Sequence, residues 1–176
     1  TLSRSSAASD VYKRQPVIVI TVTNALNENI PSTSLTNDTP LNLTFTASEP
    51  ISGFDQSDIA VSGSAALSEF SATSSTVFTA KLTPNADEKL TINIPENAAK
   101  DVAGNANDIA NEFELTYDGT APAVTITALN FAGNAIASGD TTSDDSLKLI
   151  FTSSETFYGF AASDISANNG SISNFI

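Results

Sequence analysis

Residues 41–47 read Leu41-Asn42-Leu43-Thr44-Phe45-Thr46-Ala47, and the alternation in them decides the fold. Apolar side chains fall at every second position, with amide and hydroxyl side chains between. A period of two belongs to a strand buried on one face, not to a helix. Four other runs share it. Ile18, Ile20 and Val22 alternate with Val19 and Thr21, and Phe78, Ala80 and Leu82 with Val77, Thr79 and Lys81. Leu90, Ile92 and Ile94 alternate with Lys89, Thr91 and Asn93, and Phe113, Leu115 and Tyr117 with Glu112, Glu114 and Thr116. Two shorter strands fit around Ile59–Val61 and Leu67–Phe70. Pro31, Pro40, Pro50, Pro84 and Pro95 lie between runs or at their ends, where a strand tolerates a residue without an N–H. Strands that are apolar on one face only must pack as two sheets, face to face.

Seven such strands in about 100 residues is the count of an immunoglobulin-like β-sandwich, so the sequence predicts an all-β fold of that class. The Cys pair and Trp of antibody domains are absent. Residues 97–111 are expected to hold a little helix or an irregular loop.

Laid over itself at an offset of 106, the chain matches itself repeatedly. Pro16 falls on Pro122, Phe45-Thr46 on Phe151-Thr152, Ser48-Glu49 on Ser154-Glu155, Gly53-Phe54 on Gly159-Phe160, and Ser57-Asp58-Ile59 on Ser163-Asp164-Ile165. Phe70 meets Phe175 after a one-residue deletion. The expected organisation is a tandem repeat: a complete sandwich over 16–118 and the N-terminal half of a second, truncated one over 119–176. Asp118-Gly119-Thr120-Ala121 is the linker. Half a sandwich leaves its core uncovered, so 122–176 is not expected to fold alone, whereas 16–121 is.

Residues 1–15 stand apart. Ser5 to Gln15 back-translate in one reading frame into a string that resembles a sequencing-library adapter, and Arg4 and Arg14 are the only arginines in the chain. These residues are read as a disordered artefact outside the fold. A natural N-terminus would then be missing, and the lack of a leader says nothing about secretion.

Composition removes several function classes. Among 176 residues there is no Cys, His, Met or Trp. That excludes disulfides, thiol nucleophiles, zinc sites of Cys or His, and Ser-His-Asp chemistry. The net charge is −13, and residues 16–176 alone hold four lysines, no arginine and nineteen acids. So acidic a surface lacks the cations that neutralise phosphates, and no nucleic-acid partner is expected. No run reaches the ~20 apolar residues of a membrane span. Ser and Thr make up 45 residues, which suits strands and turns.

The order Phe45-Thr46-Ala47-Ser48-Glu49-Pro50, Gly53-Phe54, Ser57-Asp58-Ile59, Leu82-Thr83-Pro84 and Asp101-Val102-Ala103-Gly104-Asn105-Ala106-Asn107 resembles the bacterial immunoglobulin-like repeats of large surface proteins. Asp118-Gly119-Thr120-Ala121-Pro122 is similar to the junctions between such repeats. The resemblance implies an extracellular or cell-surface bacterial protein in which many copies form a stalk or spacer. The implied partners are neighbouring identical repeats in the same chain, and a host-cell or matrix ligand reached through other domains. It also implies Ca2+ at the junctions. Calcium takes six to eight oxygen ligands. The candidates are Glu49, Asp101, Asn105 and Asn107 in the first module, completed by an upstream linker, and Asp118 with Glu155 in the second. The alternative for these residues is local: turn hydrogen bonds for Asp101 and Asn105, and a loop cap for Glu49. The stretch after Asp101 lacks the glycine and terminal glutamate of an EF-hand.

Gly53-Phe54 and Gly159-Phe160 are expected to plug one end of the sandwich. Asp58 and Asp164 are expected to be turn residues, and Asp144-Asp145 a solvated pair. Asn37-Asp38-Thr39 and Asn42-Leu43-Thr44 fit the glycosylation pattern by chance. No acid lies in an aromatic cleft, so no enzyme is expected. The expected function is a non-catalytic extracellular spacer of an adhesin. The alternative is a carbohydrate- or protein-binding accessory module of a secreted multidomain protein, which would need an exposed aromatic patch. The outward positions named above are Thr, Asn, Lys and Glu instead.

Overall fold

The central run becomes strand β4 (Leu41–Ala47), with Leu41, Leu43, Phe45 and Ala47 buried and Thr46 exposed. Its neighbours are β1 (Ile18–Thr23) and β8 (Val77–Pro84), both antiparallel to it. Register stacks like with like: Phe45 lies opposite Ile20 and Phe78, and Leu43 opposite Val22 and Ala80. A one-residue slip would turn every one of these side chains to water, so the burial fixes the register. Each large apolar side chain so buried contributes about 1.5–3 kcal/mol.

The computed structural model describes residues 15–176 and divides into two units between Gly119 and Thr120. That division lies one residue beyond the expected boundary at 118. The expected disordered artefact falls on residues that, Gln15 apart, lie outside the described ones.

In the first unit, β2 (Asn29–Ile30) and β7 (Ala65–Ala72) complete a five-stranded sheet in the order β2-β1-β4-β8-β7. The second sheet runs β3-β11-β9-β6, from β3 (Ser34–Thr36), β11 (Phe113–Tyr117), β9 (Glu88–Asn93) and β6 (Ala60–Ser62). Strands β3 and β11 are parallel, and the other pairs antiparallel. Leu90, Ile92, Phe113 and Leu115 meet the buried face of the first sheet. Each of the seven alternating runs overlaps a strand, but the first unit holds eleven strands among its described residues rather than seven, the others being the short β2, β3, β5 (Ile51–Ser52) and β10 (Lys100–Asp101). These pieces of two or three residues are too short to show a period.

Strand β10 pairs with β5, and Lys100 also bridges Ala106. The segment 97–111 is therefore a pinned hairpin without a helix.

Strand β7 breaks the alternation. Ser68 pairs with Lys81 but Ser71 with Thr79, so one extra residue bulges out, and Glu69 takes φ 52°. The bulge lets Leu67 and Phe70, three apart, both turn inward. Phe70 then reaches Phe54, whose ring meets Phe45, Phe70 and Phe78 at 5.7, 5.7 and 5.1 Å, all edge-on. Asp58 accepts from the Asp55 N–H at 2.8 Å in a short 3-10 turn.

The second unit holds β12 (Val124–Leu129), β13 (Ala135–Ile136) and β14 (Lys148–Ser153), in the order β13-β12-β14. Several contacts of the first unit have counterparts in it 106 residues on. Val17 N–H donates to Ser48 Oγ at 3.0 Å, and Ala123 N–H to Ser154 Oγ at 2.9 Å. Asn24 Oδ1 accepts from Glu28 N–H, and Asn130 Oδ1 from Asn134 N–H, both at 2.9 Å. The Ala161 N–H donates to Asp164 as Asp55 does to Asp58, and Phe160 packs edge-on against Phe151 at 5.3 Å. Phe175 follows a left-handed Asn174, as Phe70 follows Glu69. The difference is coverage. Ile126 is 64% exposed where Ile20 is 2% exposed, and Val124, Leu147 and Leu149 are open where Ile18, Leu41 and Leu43 are buried.

Candidate functional site

The strand directions give the first unit two poles. Strand β1 starts and β4 ends at the entry pole, since Ile18 pairs with Ala47. Backbone bonds gather the rest of it: Ser48 N–H to Val17 O at 2.8 Å and Asp108 N–H to Pro16 O at 3.0 Å. With the β5–β10 pairing, these bring Glu49, Asp101, Asn105 and Asn107 to one end. At the exit pole, β11 ends beside the start of β9, since Tyr117 pairs with Glu88. Asp118 N–H donates to Thr36 O at 3.0 Å, and Gly119 N–H to Asp87 Oδ1 at 2.7 Å. Asp118 thus lies at the opposite end from the other first-unit candidates.

Asn107 is fully buried. Its Oδ1 accepts from the Ala99 N–H at 2.7 Å, and its Nδ2 donates to Pro95 O at 3.0 Å and Asp108 O at 2.8 Å. The side chain is the internal tie of the entry-pole loop. Asp101 closes the hairpin turn, accepting from Asn105 N–H at 2.7 Å and Asn105 Nδ2 at 2.8 Å. The Asn105 side-chain bond, helped by backbone N–H groups of the turn, holds the Asp101 carboxyl below its ordinary 3.8 against the opposing effect of desolvation. Asp101 is covered by its own turn rather than by the core. Glu49 is half-buried beside Ser48, whose hydroxyl carries the Val17 N–H. In the second unit, the Glu155 Oε1 is buried with no hydrogen-bond partner among the described residues.

Among the described residues no three acidic side chains stand close enough to hold a metal. Asn107 has its oxygen engaged inward, and Asn105 is folded onto Asp101. Of the four candidates at this pole, Glu49 and the outer lone pairs of Asp101 keep free carboxylate oxygens. Calcium takes six to eight oxygens, more than these two side chains supply.

Two structural residues carry no sequence signal of their role. Asp87 holds the exit through Gly119. Asn111 Oδ1 accepts from Ile20 N–H at 3.2 Å, capping the free edge of β1. Only the tertiary fold brings either pair together across 32 and 91 residues.

The outer face of the five-stranded sheet carries a shallow groove lined by Thr23, Asn42, Thr44, Glu69, Thr79 and Lys81. It is polar, and Glu69 and Lys81 pair across it at 2.8 Å.

The description of bacterial Ig-like domains fits the chain over residues 14–117, more than half its length. The chain belongs to the bacterial Ig-like domain family. Domains of this family are typically structural modules, and here the matched residues are those of the sandwich whose two poles carry the chain in and out. Among curated proteins none matches the chain. The crystal structure of the N-terminal part of the bacterial S-layer protein SbsC is similar at 18% identity and a TM-score of 0.36, over 81% of this chain and 42% of that one. This chain thus spans less than half the length of that structure. No helix among the described residues is long and apolar enough to cross a membrane.

Proposed function

We propose that the chain is a non-catalytic spacer of a bacterial surface adhesin, acting outside the cell. One observation carries this reading: the bacterial Ig-like domain takes the chain in at one pole and hands it on at the other. Strands of six to seven residues separate the poles by about 20 Å before loops are added. Copies joined this way add length rather than bulk, and stability then sums over modules and their nearest neighbours. The second unit is read as the first half of the same module, supported by the recurrence of its hydrogen bonds and by the open faces of Ile126 and Leu149. The net charge of −13 would keep neighbouring stalks apart.

Small-angle scattering tests the spacer role. Two joined copies of residues 16–119 should exceed one copy in maximum dimension by at least about 20 Å. Copies that fold back on each other would refute it, and glycan-array binding by a single copy would favour an accessory module.

Calcium at the junctions is part of the same proposal. Glu49 and Asp101 would serve from one pole, and a linker carboxylate in the place of Asp118 from the module before. The buried, unpaired Glu155 Oε1 supports an acceptor-rich junction. A two-module chain should then melt higher in calcium than in chelator, and D118A should reduce the gain. Equal melting in both would remove calcium from the reading and leave the spacer intact.

A further inference from the structure

The chain contains a single Asn-Gly step, Asn169-Gly170, and a single Asp-Gly step, Asp118-Gly119. Both are open to the same ring closure. The glycine backbone nitrogen attacks the side-chain carbonyl carbon of the residue before it, and a glycine offers no Cβ to hinder the approach. The structure puts the two steps in opposite circumstances.

Asn169 and Gly170 are both exposed, in a turn, and a Cβ built on Gly170 would meet nothing within 4 Å. Asn169 occupies the left-handed position (φ 60°) that Gly63 occupies in the first unit (φ 90°). Gly119 is held. Its N–H donates to Asp87 Oδ1 at 2.7 Å, and the N–H of Asp118 donates to Thr36 O. The peptides on both sides of Asp118 are therefore fixed. A carboxylate on the Gly119 N–H also opposes loss of that proton, because the resulting anion would face a like charge. The Tyr117 ring crowds the same glycine, with its hydroxyl 2.5 Å from where a Cβ would stand.

We propose that Asn169 is a site of spontaneous deamidation, and that Asp87 protects the Asp118-Gly119 step from the equivalent isomerisation. At Asn169 the Gly170 N–Cγ bond forms and the Cγ–Nδ2 bond breaks. Ammonia leaves with the proton that Gly170 N gives up. Water then opens the succinimide at either carbonyl, leaving aspartate or isoaspartate and one more negative charge. At Asp118 the same closure would expel water and regain it, giving isoaspartate with no change in mass. The isoaspartate form adds a methylene to the backbone. At 169 that falls in an exposed turn, but at 118 it would fall in the segment that leaves the first unit. The fold thus leaves the harmless step open and guards the costly one.

The test is peptide mapping by mass spectrometry of the full chain aged in mildly alkaline buffer, with isoaspartate scored by enzymatic methylation. The peptide holding Asn169 should gain about 1 Da, and G170A should slow this at least about tenfold. Asp118 should stay α-linked. D87A should make isoaspartate appear there, while D87N, whose side-chain oxygen still accepts from Gly119, should not. The chain aged in urea should react at both steps, which sets the unprotected rate. An Asn169 that stays intact while the urea sample converts would overturn the first half. Equal isoaspartate at Asp118 in the native chain and in D87A would overturn the second.

Discussion

Replacing Asn107 by alanine separates an internal tie from a metal ligand. The substitution takes the acceptor from the Ala99 N–H, which lies in a buried residue and has no water to turn to. A buried unsatisfied donor costs about 1–3 kcal/mol. The carbonyls of Pro95 and Asp108, in residues that are themselves exposed, also lose their donor. The expected loss is about 1–3 kcal/mol, with no metal present. For a sandwich of this size, each kcal/mol moves the melting temperature about 4–8 °C, so the shift should be roughly 4–24 °C. Urea unfolding followed by far-UV circular dichroism in chelator, on the 176-residue chain, reads the first-unit transition. Asn107→Asp sharpens the contrast. It keeps the acceptor for Ala99 but aims a carboxylate oxygen at the Pro95 and Asp108 carbonyls, and should destabilise at least as much as alanine. A calcium ligand would behave the other way, tolerating aspartate and showing its loss only with metal. A change in chelator below about 0.5 kcal/mol for Asn107→Ala would refute the tie.

Three other substitutions read the geometry directly. Gly63→Ala should cost more than Gly53→Ala, by at least about 1 kcal/mol in urea unfolding: both have φ near 90°, but only at Gly63 would the new Cβ strike Leu90 Cδ2 at 2.5 Å. Glu69→Asn should leave stability within about 0.5 kcal/mol, since Asn accepts the left-handed bulge and the exposed pair to Lys81 contributes little. The Asp101 carboxyl, depressed by its Asn105 bond, adds stability that is fully present above 3.8 and is lost as pH falls through its lower folded value. Asn105→Ala should raise that value toward 3.8 in a carbon-detected NMR titration and shrink the acid-dependent part of the stability that Asp101 contributes.

The two sheets were legible because period two survives in every strand buried on one face. Leu41, Leu43 and Phe45 report their own direction without any partner. The alternation fails where a strand bulges, so Phe70 reads as one more residue of Leu67–Phe70 until Glu69 is seen to turn the backbone. It also fails in pieces of two residues, which is why Lys100–Asp101 reads as loop or helix. The candidate site was half legible. Asp101 and Asn105 are four apart, and their mutual bonds are local chemistry that the sequence pattern allows. Asn107 carries the same side chain three positions short of a buried Ala110, and nothing in its neighbours says which way it faces.

The sequence by itself determined the class of fold, the internal matches at an offset of 106 residues and the absence of thiol and imidazole groups, because these depend on which residues exist and on how they alternate. Only the tertiary structure decided which polar atoms are spent. Asn107, Asp87 and Asn111 each meet partners chosen by packing, 8, 32 and 91 residues away. A hydrogen bond is settled by distance and direction, and sequence spacing fixes neither once the chain has crossed from one sheet to the other.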